Sequence, residues 1–256
     1  MSTTPTTTSL VDLAARKQLP HHQYMDPATV EWIKANRPDL GAAWPPPLRP
    51  SSKQFLSRSA LPGAWLVEPR LQDSLHGIRH GMRTAALAAL LAEIHGLDDV
   101  DIATVVLAAA VHDCQRLHDQ DDRGHGARAA IWLAANADTI WTHFGTVATP
   151  RRIIQAATAI RLHDLPYDTF CSDDRADYAR AVLICDLVKA ADALDRYRLP
   201  KLNWWPDARH VREPAFDQLR ALAFDLVVIS ETAHLAGASS AEAVRFALAE
   251  KGLVQP

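Results

Sequence analysis

The segment VDIATVVLAAAVHD, residues 100–113, is apolar almost all the way round a helix and then ends on an imidazole and a carboxylate. A helix without a polar face belongs in the middle of a fold rather than on its surface. Asp98 and Asp99 are N-cap candidates at its start, and the apolar run between Asp101 and His112 is too short to cross a bilayer. A carboxylate at the buried end of such a helix is costly without a cation or a hydrogen-bond partner. His112 and Asp113 are therefore either a packed ring and a cap, or part of a metal site.

The rest of the chain also reads as helix. From Leu71 onward, Leu75, Ile78, Met82, Ala85, Ala86, Ala89 and Leu90 recur at intervals of three and four, and Gly96 ends that stretch. Residues 126–137 form a further helix, and Thr149-Pro150 supplies a cap and a first-turn proline for one that runs to His163, before Pro166 stops it. Residues 177–196 read as one amphipathic helix, residues 216–235 as another, and the capping box of Ser239 and Glu242 opens the last. Asp26-Pro27 starts a short helix ending near Asn36. Pro45, Pro46, Pro47 and Pro50 exclude regular helix or central strand around them, and Thr and Pro dominate residues 1–9, a segment expected to be a mobile tail. No alternating strand pattern and no solenoid-length repeat is present.

The expectation is an all-α fold of two parts. Residues 1–65 form a tail, a short helix and a Pro-rich strap; residues 66–256 form a helical domain whose last helices span 213–252. Hydrophobic residues make up 48% and charged residues 22%, ordinary values for a globular protein with a sizeable core. A net charge of -3 argues against broad binding to nucleic acid or to anionic membranes. Cys114, Cys171 and Cys185 form no CxxC pair and no dense even set, and the N-terminus has no charged start followed by an apolar block. These features point to a reducing, cytoplasmic setting without membrane insertion; homo-oligomerisation is left open.

Four segments place imidazoles and carboxylates at helix ends or on one helix face: His76 to Arg83, His112-Asp113, His163-Asp164, and Lys189 to Arg196. Nitrogen and oxygen donors of this kind suit divalent first-row metals, and facing helices of a bundle can bring them together. The order H-x-x-R at His80 and Arg83, an apolar helix ending in His112-Asp113, and K-x-x-D-x-L-D from Lys189 to Asp195 resembles the HD superfamily of metal-dependent phosphohydrolases. The resemblance covers residues 71–199, about half the chain. It implies an HD-type helical bundle with metal ligands at His80, His112, Asp113 and Asp192. His125 and His163 resemble the further histidines of two-metal members, in which case Asp113 bridges two ions; the alternative is that each histidine is a helix cap or a surface side chain.

The implied activity is hydrolysis of a phosphate ester, a phosphomonoester or nucleotide, with one or two divalent ions (Mn, Fe, Co, Ni or Zn) and Asp113 orienting the attacking hydroxide. Arg83, Arg116, Lys189 and Arg196 are candidate cationic clamps for a small phosphate-bearing substrate, Arg116 and Lys189 being placed with Asp113 as catalytic candidates. Pairing with Asp119, Asp122 or Asp195 is the alternative for each arginine. His76, one turn before His80, is read as substrate-facing or as a support to a ligand, and Asp195 as the orienting partner of a ligand or as the partner of Arg198. Trp204-Trp205 is either packing or an aromatic wall. The resemblance also admits an iron oxygenase that cleaves a C–C or C–P bond with O2, and a non-catalytic scaffold that binds a ligand.

Overall fold

The structure, a computed structural model, describes residues 8–41 and 46–255. Its α-helices in chain order are α1 (Leu10–Ala15), α2 (Pro27–Ala35), α3 (Pro50–Ser57), α4 (Ile78–Ile94), α5 (Asp99–Val111), α6 (His125–Ala135), α7 (Ala137–Phe144), α8 (Pro150–Leu162), α9 (Ser172–Ala179), α10 (Val182–Leu194), α11 (Phe216–Leu235) and α12 (Ser240–Glu250). Short 3-10 turns join several of them, and there is no strand among the described residues. The expected all-α fold is what the chain adopts.

Helix α5 lies at the centre. Asp98 caps it by accepting the backbone N–H of Asp101, and Asp99 and Asp101 place negative charge at its positive end. Every residue from Ile102 to Val111 is buried. Helix α4 packs along it, and α8 and α10 pack against both α5 and each other. Small residues set the spacing: a Cβ added to Gly81 of α4 would lie 2.7 Å from the carbonyl oxygen of Ala110 in α5. A second close approach joins α6 to α8, where a Cβ on Gly126 would lie 2.7 Å from the carbonyl oxygen of Ile160. In each case the glycine follows a histidine, His80 or His125, and the opposing carbonyl belongs to the helix end that carries His112 or His163.

Several helix limits fall where local chemistry predicts. Asp26 caps α2 with Pro27 in its first turn, Thr149 caps α8 with Pro150 in its first turn, and Ser239 and Glu242 form the capping box of α12. Gly96 adopts φ +63° just beyond α4. Other limits differ. Leu71 and Leu75 are buried in turns ahead of α4, which starts at Ile78. The expected helix over 126–137 starts at His125 and stops at Ala135, and a separate helix, α7, follows. The expected single helix over 177–196 is two, broken at Ala181, which takes φ −144°; no glycine or proline marks that break, so the apolar periodicity runs straight across it.

The N-terminal segment is more helical than its composition suggests. Pro50 does not exclude a helix but begins α3, because a proline in the first turn removes an N–H that has no intrahelical partner anyway. Pro45 and residues 1–7 of the tail expected over 1–9 lie outside the described residues, while Ser9, at the end of that expected tail, caps α1. Helix α2 packs on α11, and α3 packs on α4 and α5, so Val30, Ile33, Phe55 and Leu56 share one core with the central helices. Between α1 and α2 the backbone of Gln23 is tied on both sides: its N–H donates to Asp119 Oδ2 at 2.7 Å, and its carbonyl accepts from Leu75 N at 2.9 Å.

Candidate metal centre

The central helices end at one place, and each delivers a donor there. His80 lies in the first turn of α4, His112 caps the C-terminus of α5 and Asp113 follows it, His125 opens α6, His163 caps the C-terminus of α8, and Asp192 lies on α10. All six sequence candidates for metal binding therefore converge. His80 Nε2 lies 3.0 Å from His112 Nε2, 3.5 Å from Asp113 Oδ2 and 3.3 Å from Asp192 Oδ1. His112 Nε2 lies 3.7 Å from each of those two oxygens. Beside this set, His125 Nε2 lies 3.0 Å from His163 Nε2 and 3.1 Å from Asp113 Oδ1, and His163 Nε2 is 3.5 Å from that same oxygen. Asp113 thus turns one oxygen to each set.

Ligands held at about 2.0–2.2 Å from a common ion in tetrahedral or octahedral geometry lie about 3 to 3.6 Å from one another. The observed separations are close to that range. The ring protons lead to the same place. His112 Nδ1 faces the carbonyl of Ala109 at 2.7 Å, His125 Nδ1 that of Asp122 at 2.8 Å, and His163 Nδ1 that of Ile160 at 2.6 Å. His80 Nδ1 faces Asp195 Oδ2 at 2.8 Å. An acceptor at every Nδ1 favours a proton there, so each ring in its neutral form turns the Nε2 lone pair inward. Two carboxylates and four ring nitrogens crowded together require a cation among them, either a proton on His80 or a metal ion. The donor set fits divalent metal.

The electrostatics agree. Burial and nearby Arg198 oppose a proton on His80, yet Asp113, Asp192 and Asp195 together hold its pKa up at about 9. Burial works against ionising Asp113 and Asp192, but Arg116, His112 and His125 around the first, and His112 and His80 around the second, keep both well below the usual carboxylate range. The pocket demands positive charge.

Asp195 supports the site through a buried ion network. It accepts Arg83 Nε at 2.6 Å and Nη2 at 3.0 Å, while Arg83 Nη1 donates to Glu231 at 2.7 Å and to Ser230 at 3.1 Å. Arg79 donates to Glu231 at 2.9 Å and to Ser240 at 2.7 Å. This corrects the expectation that Arg83 faces substrate: it is wholly buried and all its charge is engaged by Asp195 and Glu231. Lys189 is corrected in part. It borders the cavity, but Nζ donates to the carbonyls of His163 and Leu165 at 2.7 and 2.6 Å, so it holds the end of α8 in place. Burial lowers its pKa to about 8 against the pull of Asp192 and Asp164.

A cavity of about 1300 Å³ opens onto the cluster. Asp113, His125, His163 and Asp192 face it, with His76, Arg116, Arg196 and Trp204 among its walls. Arg196 also donates through Nε to the carbonyl of Trp204 at 2.7 Å. Trp205 is buried against Trp32, Tyr197 and Phe224, a packing role. His76 Nδ1 lies 2.8 Å from Asp119 Oδ1, and burial together with Arg116 pushes its pKa down to about 3, so it stands as a neutral ring. Asp119 also receives the backbone N–H of Gln23 and His76 and the hydroxyl of Ser74. Sequence reasoning missed this junction, because it depends on contacts between distant segments; Arg198 it named only as a partner of Asp195, an ion pair the structure has at 3.5 Å. Cys114 is buried, and burial pushes its thiol up to about 12.

Fold and site together describe an all-helical protein with buried histidine and aspartate groups able to hold a metal ion. No helix among the described residues is long and apolar enough to cross a membrane. Compared with protein-family models, with curated proteins and with solved structures, the chain matches none.

Proposed function

We propose that this chain is a metal-dependent phosphohydrolase that cleaves a phosphate ester, as the resemblance of its motifs to the HD superfamily implies. The observation that carries the reading is Asp113, whose two carboxylate oxygens face two adjoining ligand sets. His80, His112, Asp113 and Asp192 would hold one ion, and Asp113, His125 and His163 a second. A pair of divalent ions in such a site polarises phosphoryl oxygens and lowers the pKa of water toward neutrality. Asp195 and three backbone carbonyls hold the four imidazoles in the tautomer that a metal ligand needs. Arg116 brings a fixed positive charge to the cavity wall, 3.5 Å from Asp113 Oδ1. His76 offers an uncharged ring at the same wall.

The test is to strip the purified protein of metal, reload portions with Mn, Fe, Co, Ni or Zn, and screen phosphomonoesters, nucleotides and cyclic dinucleotides for release of product. Oxygen uptake is followed in parallel. The expected result is phosphoester cleavage that needs the added ion and is lost again with a chelator. Oxygen uptake by the iron-loaded protein without phosphoester cleavage would replace hydrolysis by the oxygenase reading. A protein that takes up no ion and turns over nothing would be a scaffold.

A further inference from the structure

Arg198 is a buried cation with an unmet donor at the edge of the proposed centre. It is 2% exposed and lines the cavity. Its Nε donates to the carbonyl of Leu75 at 2.8 Å, and its Nη2 lies 3.4 Å from His80 Nε2, the nitrogen that faces the first ligand set. Nη1 comes no closer than 3.5 Å to Asp195 Oδ2 in its ion pair and finds no hydrogen-bond partner among the described residues. A buried guanidinium N–H left without an acceptor is destabilising, more so than a neutral donor.

Arg116 occupies the matching place beside the second set. Its Nη1 lies 3.2 Å from His125 Nε2, and its Nε and Nη2 are anchored on the carbonyls of His118 and Gln120. Each ligand set therefore has one fixed guanidinium next to a nitrogen that faces its centre. Permanent cations beside sites for divalent cations repel them, and the repulsion is relieved by an anion that touches both kinds of charge.

We propose that Arg198 and Arg116 are the two arms of a clamp for the terminal phosphoryl group of a phosphomonoester. The inference rests on the metal-dependent reading above and narrows its substrate class. A monoester carries about two negative charges and three free oxygens, enough to meet both arginines and the ligand-held ions at once. A diester offers two free oxygens and a single charge, and leaves one of these cations unmatched.

The test uses the full chain loaded with manganese, with inorganic phosphate as the probe. Metal content is measured by elemental analysis and phosphate affinity by titration calorimetry for wild type, Arg198→Met and Arg198→Lys. Arg198→Met is expected to keep its manganese and to bind phosphate roughly 10-fold to 100-fold more weakly, the loss of one or more charge-assisted hydrogen bonds. Arg198→Lys keeps a cation in the same buried place without the fork, is expected to fall between, and decides the matter where the methionine variant does not fold. Undiminished phosphate affinity in a metal-loaded variant overturns the clamp alone. A wild-type protein that takes up none of manganese, iron, cobalt, nickel or zinc overturns the metal-dependent reading and the clamp with it. Faster cleavage of bis(para-nitrophenyl) phosphate than of para-nitrophenyl phosphate by wild type overturns the assignment to monoesters.

Discussion

Asp195 Oδ2 lies 2.8 Å from His80 Nδ1, and the same carboxylate receives two N–H groups of Arg83. Of the four inward-facing histidines, His80 is the one whose Nδ1 proton goes to a side chain. The other three stand at helix ends and use the carbonyl three residues back. His80 lies inside α4, where backbone carbonyls are taken by the helix itself, so its orientation has to come from another element.

Asp195→Asn is expected to keep the shape of the site while removing the charge that holds His80 and Arg83. Metal affinity should fall by about 10-fold to 100-fold, as for other partners of metal-ligating histidines. Leaving Arg83 buried beside an uncharged amide should also cost about 3 kcal/mol or more of stability. Equilibrium dialysis with manganese and urea unfolding of the metal-free variant check the two effects separately; unchanged affinity would remove Asp195 from the site.

Asp113→Ala and His163→Ala should differ in metal count. The first removes the carboxylate common to both sets and is expected to leave no tightly held ion, while the second is expected to halve the count. Elemental analysis of gel-filtered protein reads this directly. One ion per chain in wild type would return His125 and His163 to roles as helix-end residues.

Metal affinity should rise with pH up to about 9. Asp113, Asp192 and Asp195 raise the pKa of His80 to about 9, so below that pH an incoming ion displaces a proton from Nε2. The sign follows: in that range each unit of acidification weakens apparent affinity by about tenfold for one proton released. Titrations with a competing chelator at several pH values measure the slope, and a flat profile between pH 6 and 8 contradicts it.

Gly126→Ala should disturb the second set without touching a ligand. The added Cβ would meet Ile160 O at 2.7 Å and His163 Nδ1 at 3.2 Å, so α6 and α8 must move apart. The expected outcome is a loss of about 1–3 kcal/mol in stability and of the ion bound by His125 and His163. Thermal melts and metal counts test it; a variant with two ions and an unshifted melting temperature rules it out.

Much of this was legible in the residues. The apolar run of α5 announced a central helix, and caps such as Asp26, Thr149 and Ser239 located helix starts because their chemistry is local. The six donors converge as the motif order implied. Less visible were the helix break at Ala181, which lacks a breaker residue, and the helices α1 and α3 in a segment dominated by its prolines. Pairing of Arg83 with Asp195 was one of the two readings its position allowed, but its second partner Glu231 and the fate of Lys189 were not readable. A charged side chain near a ligand in sequence has no fixed partner until the fold brings Glu231 or the carbonyl of Leu165 within reach.

The backbone hooks on His112, His125 and His163 carry a consequence for assembly of the centre. Those rings are aimed by the helix ends themselves, so folding alone orients three of the four imidazoles of the proposed centre. If the proposed ions bind, their exchange is expected to follow passage through the cavity mouth rather than unfolding of the helices that carry the rings.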